Sequence, residues 1–178
     1  MTLKQSLGTL IEPATLRMER ILPAPIERVW AYLVDPEKRR TWLAGGTMAA
    51  EPGGIFELRF QHTELSGEEA PEHYAAYRKT HVQTSRVVRI EPPKLLTISW
   101  GSESETASEV TFELTPTGDG TRLVLTHRRL PDRKETVSVS SGWHAHLDVL
   151  DDVLNGRTPH GFWTNLEAVE KAYEASIP

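Results

Sequence analysis

The run from Ser141 to Gly156 constrains this chain more than any other stretch. Trp143, His146, Leu147, Leu150, Val153 and Leu154 recur at i, i+3, i+4 and i+7 spacing, which lays one apolar stripe along a helix. The spacing predicts a rod over about residues 138–154, closed by Gly156. A series of short alternating segments precedes it. A chain that lays down an antiparallel sheet and then one long helix buries the apolar face of each against the other. A sheet curved around a rod leaves a gap, and gaps of this kind take ligands.

The preceding segments read as strands by their alternation. Residues 15–22 form the first, and Pro23-Ala24-Pro25 breaks it. Ile26, Val29, Trp30 and Leu33 then fall at helical spacing over 26–34, and Asp35-Pro36 caps a second short helix reaching Thr41. Residues 55–62 alternate, with Phe56, Leu58, Phe60 and His62 on one face. Residues 63–79 are polar and acidic; they read as a long loop with a helical turn near 72–77 and with Glu64, Glu68, Glu69 and Glu72 solvated. Further strands follow at 81–90, 95–100, 108–115 and 121–129, the last two joined by the turn Thr117-Gly118-Asp119-Gly120. A final helix over about 161–175 buries Phe162, Leu166, Val169 and Tyr173. The reading is an α+β fold: a single domain over 14–178, with a core at 14–156 and an extra helix at 157–178. Residues 1–13 are expected to be a flexible arm.

Composition limits the partners. A chain of 178 residues fits one domain, and folding at this size buries roughly 70% of the unfolded surface. The net charge of −5 disfavours a nucleic-acid role, because phosphates need clustered Lys and Arg. Lys38-Arg39-Arg40 and Arg128-Arg129 are short, have acidic neighbours, and read as solvated faces. The absence of cysteine excludes disulfides and thiolate zinc sites. No segment approaches the ~20 apolar residues of a membrane span, and the first residues do not form a signal peptide. A cytoplasmic protein is expected.

Several motifs, in order, resemble one family. They are Arg20-Ile21-Leu22-Pro23-Ala24-Pro25-Ile26-Glu27-Arg28-Val29-Trp30, Asp35-Pro36-Glu37 followed by Trp42, and Arg89-Ile90-Glu91-Pro92-Pro93-Lys94-Leu95-Leu96 with Ile98-Ser99-Trp100. Ser108-Glu109-Val110-Thr111-Phe112-Glu113-Leu114, Gly120-Thr121-Arg122-Leu123 and Gly142-Trp143 with Leu147 and Leu150 complete the set. Together they are similar to homologues of the activator of heat-shock-protein-90 ATPase, in the SRPBCC or START-like superfamily. The resemblance covers about residues 15–156. It implies the helix-grip fold of the birch-pollen allergen, a curved antiparallel sheet wrapped on a long C-terminal helix. For function it implies lipid or hydrophobic-ligand binding, a chaperone partner with a part in stress response, or cyclase or hydrolase chemistry. The long 63–79 loop and the helix after Gly156 depart from the basic pattern.

The inward faces nominate the site. Phe60, His62, Trp100, Leu125, His127, Trp143, His146 and Leu150 are the candidate ligand contacts, with the three histidines converging on one pocket beside Trp100 and Trp143. The competing account makes each histidine a core residue with its hydrogen bonds satisfied. No catalytic set, metal site or cofactor motif is found: no nucleophile elbow, no phosphate loop, and His144 and His146 lie too close in sequence to chelate one metal from a helix. His144 and Asp148 are expected to form an exposed ion pair, and Asp148, Asp151 and Asp152 a solvated face. Three readings stay open: a binder of a small hydrophobic or aromatic ligand, a co-chaperone, and an enzyme. Monomer and homodimer both remain compatible with the sequence.

Overall fold

Seven antiparallel strands form one sheet in the order β1-β2-β7-β6-β5-β4-β3. They are β1 (Thr9–Glu12), β2 (Thr15–Leu22), β3 (Ile55–Phe60), β4 (His81–Glu91), β5 (Leu95–Trp100), β6 (Ser108–Thr117) and β7 (Gly120–Arg128). The helices are α1 (Ile26–Val34), α2 (Pro36–Arg39), α3 (Arg133–Leu154) and α4 (Phe162–Ser176). This computed structural model describes residues 3–178. The sheet is curved, and its pairing register slips between Leu10 and Glu12 and between Val87 and Arg89, irregularities of the kind that bend a strand. The α+β helix-grip architecture is the one predicted.

Alternation decides which side of the sheet is buried. Leu16, Met18, Arg20 and Leu22 of β2 are buried, while Glu19 and Ile21 are exposed. Phe56, Leu58 and Phe60 of β3 and Leu123, Leu125 and His127 of β7 also turn inward. Each fully buried aliphatic or aromatic side chain here contributes roughly 1.5–3 kcal/mol. Asp35 caps α2 by accepting from the backbone N–H groups of Glu37 and Lys38.

The long helix starts earlier than its apolar stripe. Asp132 is its N-cap and accepts from the Glu135 N–H at 2.8 Å. The first turn is Arg133-Lys134-Glu135, which is exposed and carries no hydrophobic signal. Gly156 follows the helix with φ of +68°, a left-handed conformation that glycine adopts without a Cβ clash.

Several expectations are overturned because α3 is covered on more than one side. Residues 1–13 were expected to be a free arm; Met1 and Thr2 lie outside the described residues, but the rest is tied down. Thr9–Glu12 pairs with β2 as an edge strand, Lys4 bonds Asp152 at 2.7 Å, and the Gly8 N–H donates to the Tyr173 hydroxyl at 2.8 Å. This segment and α4 together bury the flank of α3 that was expected to be solvated. Asp148, Asp151 and Asp152 are all buried there. His144 is buried too: its Nδ1 lies 3.0 Å from the Tyr173 hydroxyl, and its Nε2 lies 3.6 Å from Asp148. Arg39, expected on a solvated face, is only 1% exposed. Its guanidinium donates to the carbonyls of Leu33, Val34, Ala44 and Gly46 and lies over the Phe56 ring. An Arg fork can satisfy several carbonyls at once, which is how it survives burial.

Candidate functional site

Between the sheet, α3 and α4 lies a gap of about 390 Å³. Phe60 and Trp100 come from the sheet, and Trp143 and His146 from α3. The other wall comes from the 63–79 loop and from α4. Tyr74 and Tyr77 enter from the short helical turn at Glu72–Arg78, and Phe162, Trp163 and Leu166 from α4. The rings pack against each other: Trp100 and Trp143 centroids are 4.8 Å apart, His146 and Phe162 4.9 Å, and Tyr74 and Trp163 5.4 Å. Such spacings are those of favourable aromatic pairs.

The loop is anchored rather than solvated. Glu68 accepts from the Thr164 N–H at 3.0 Å and from its hydroxyl, so a carboxylate from the loop caps α4, whose own N-cap residue is Gly161 and has no side chain to do it. Tyr74 donates a short hydrogen bond to Glu170. Burial, together with that neighbouring carboxylate, raises the Tyr74 pKa.

The three nominated histidines separate into two kinds. His127 is fully buried in the core. Trp143 donates its indole N–H to His127 Nδ1 at 3.0 Å, so the proton sits on Nε2, which faces the Ser108 hydroxyl at 2.9 Å. Burial lowers its pKa to about 3. Both nitrogens are satisfied, and His127 does not line the gap. Leu125 and Leu150 do not line it either; each is completely buried in the packed core. These three contacts are corrected: an inward-facing position was mistaken for a position on the cavity wall. Phe60, His62, Trp100, Trp143 and His146 do line it.

His62 and His146 come together with ring centroids 5.5 Å apart. His62 was placed on β3, but β3 ends at Phe60 and His62 opens a short helical turn, stacked on the Phe60 ring. His146 Nδ1 lies 2.7 Å from the Trp42 carbonyl, which can only accept. The proton is therefore on Nδ1, and Nε2 carries a bare lone pair on a residue that lines the gap. Burial and the neighbouring His62 lower the His146 pKa to about 3, against the opposing pull of the Trp42 bond. Burial, with His81 nearby, lowers the His62 pKa to about 4. Both rings are neutral at neutral pH. His62 Nδ1 and Trp163 Nε1 are sealed from solvent without a partner.

A second hollow of about 510 Å³ lies on the other flank of α4, beside Lys4, Asp148, Asp152, Arg157, His160 and Asn165. Most of its charged groups engage one another, while Asp148 Oδ1 is buried without a partner. Asp152 accepts from Lys4, Arg157 and His160, and Asp148 from Asn165. Burial pushes the Asp152 carboxyl up, but the bonds from Lys4, His160 and Arg157 prevail and hold it well below the ordinary carboxylate range. Among the described residues no group of three or more His, Asp or Glu side chains is placed to hold a metal ion. No helix among them is long and apolar enough to cross a membrane.

Comparison with known proteins supports the fold. The model of the activator of Hsp90 ATPase homolog 1-like proteins matches residues 23–155. The solution structure of BPP1335 from Bordetella parapertussis is 47% identical, with 98% of this chain and 94% of that chain covered and a TM-score of 0.81. The crystal structure of CalU16 from Micromonospora echinospora is 26% identical, with 98% of both chains covered and a TM-score of 0.68. MLL2253 from Mesorhizobium loti is 25% identical, with 79% of this chain and 96% of that chain covered and a TM-score of 0.61. No curated protein matches the sequence.

Proposed function

The chain belongs to the family of activator of Hsp90 ATPase homolog 1-like proteins, and from that premise we propose that it is a binding protein for a small hydrophobic or aromatic ligand, held between sheet and long helix. The observation that carries this reading is the gap of about 390 Å³ walled by Phe60, Tyr74, Trp100, Trp143, Phe162 and Trp163. Known ligand pockets run from about 300 to 1,000 Å³ and are mostly apolar with a few placed polar groups. Apolar area buried by a ligand here is worth ~25 cal/mol per Å².

Binding rather than catalysis is the role we assign to His62 and His146. A general base works best with a pKa near the operating pH, and these two rings sit at about 4 and about 3. We place the protein in the cytoplasm and read it as a monomer, since α4 packs on its own α3. A ligand that binds only the folded chain at a hundred times its Kd raises stability by about 2.7 kcal/mol. Thermal denaturation across a panel of aromatic and lipid probes tests this, backed by native mass spectrometry of the purified protein. A midpoint unmoved by every probe, with no co-purifying mass, refutes it. The family description favours a second reading, docking on a chaperone ATPase; the absence of both pull-down and ATPase stimulation with the bacterial heat-shock-protein-90 homologue removes it.

A further inference from the structure

Resting on that binding reading, we propose that the gap selects uncharged, hydroxyl-bearing aromatic ligands, with the hydroxyl held between His62 and His146. The two imidazoles present opposite hydrogen-bonding characters. His146 spends its only N–H on the Trp42 carbonyl at 2.7 Å, so its Nε2 can accept and cannot donate. His62 has its Nδ1 sealed from solvent without a partner. A proton on that nitrogen would bury an unpaired N–H, so the favoured tautomer carries it on Nε2, which donates. With ring centroids 5.5 Å apart, this donor and this acceptor are neighbours on the wall of the gap. A hydroxyl is the smallest group that satisfies both, accepting from His62 and donating to His146.

The charge of the lining excludes the common alternatives. Its ionisable members are Glu135, Glu170, the two tyrosines and three histidines; no lysine or arginine is among them. A carboxylate or phosphate entering this gap finds no cation to pair with and two acids nearby, so its desolvation goes uncompensated. This argues against fatty acids and phospholipid headgroups as occupants. An ether or a bare hydrocarbon leaves the His146 lone pair without a donor, which costs affinity in a desolvated site. The rings on both sides accept a flat partner.

Four matched probes test the inference on the unaltered protein: naphthalene, naphthol, the methyl ether of naphthol, and naphthoate, each titrated by calorimetry. Naphthol is expected to bind about tenfold tighter than naphthalene or the ether, the size of effect one to two buried hydrogen bonds supply, and naphthoate is expected not to bind. In ¹⁵N-resolved imidazole spectra His146 is expected as the Nδ1–H tautomer and His62 as the Nε2–H tautomer, with both side chains shifting on naphthol and not on naphthalene. His62→Phe, which keeps a flat ring in the stack with Phe60, is expected to lose the preference for naphthol, binding it no tighter than naphthalene. Equal affinities for naphthalene and naphthol overturn the hydroxyl anchor and leave the binding reading standing. Naphthoate binding tightest overturns the exclusion of anions. Failure of every probe, beside the broad panel's failure to move the denaturation midpoint, overturns both.

Discussion

Two hollows flank the last helix, and they differ in the charge of their buried polar groups: ion pairs dominate one, and neutral imidazoles stand in the other. On the outer flank, Lys4, Asp152, Arg157 and His160 saturate one another, so the charges hold the N-terminal segment, α3 and α4 together. On the sheet side two neutral imidazoles, His62 and His146, each keep one ring nitrogen without a protein partner. A polar group whose bonds are complete contributes to the fold, while one with a bond still to make has something to recognise. Volume alone does not distinguish them, since both fall within the range of ligand pockets.

The sharpest test of this division is Asp152→Ala. It removes the shared acceptor of Lys4, Arg157 and His160 and leaves Lys4 and Arg157 paired to Asp151 alone; losing charged hydrogen bonds from part-exposed partners costs about 1.5–3 kcal/mol. Urea denaturation is expected to show that loss with naphthalene affinity unchanged; an unchanged midpoint would mean that the network does not hold the flank.

An acid titration probes both regions at once. His62, His127, His144 and His146 all have pKa values lowered by burial, to about 4, 3, 4 and 3, against about 6.5 in an unfolded chain. A depressed folded value means the unfolded state binds more protons between the two values. The stability held by neutral imidazoles is therefore complete above about pH 6.5 and is lost as pH falls toward 4, by about 1.4 kcal/mol per pH unit for each ring. Asp152, also depressed, adds its loss only below about pH 4. Urea midpoints flat across the range from pH 7 to 5 would contradict the buried neutral rings.

His127→Leu separates a core histidine from a cavity one. It leaves the Trp143 indole N–H without its acceptor, at a cost of about 1–3 kcal/mol, while the preference for naphthol persists. Should that preference vanish, His127 would belong to the site after all. The smallest effect is expected from Glu68→Ala, which removes the borrowed cap of α4. About 1 kcal/mol is lost, and amide exchange is expected to quicken in the first turn of α4 and in residues 72–78 before anywhere else.

Periodicity made the architecture legible and half of the site. Trp143 and His146 follow from helical spacing, and Phe60 and Trp100 from strand alternation. Alternation reports only the side of the sheet. Leu125 and Leu150 pass that test and lie inside solid packing, because depth along the groove has no signature in a single strand. Tyr74 and Tyr77 sit in a segment without regular period, and Trp163 falls outside the apolar stripe predicted for the last helix. The buried charges misled for one reason: local composition around Asp148, Asp152 and Arg39 is that of a wet surface, and the partners that bury them lie far away in the chain. Lys4 reaches Asp152 across 148 positions, and such pairings cannot be read from spacing.

The family model stops at residue 155, seven positions before α4 begins with Phe162. The shared scaffold therefore supplies the cup and the anchoring imidazoles, whereas an appended segment supplies the cover. Changing the side chains that this cover turns toward the gap alters what is admitted while the inherited frame stays the same, within the limit that Phe162 and Trp163 also belong to the packed core.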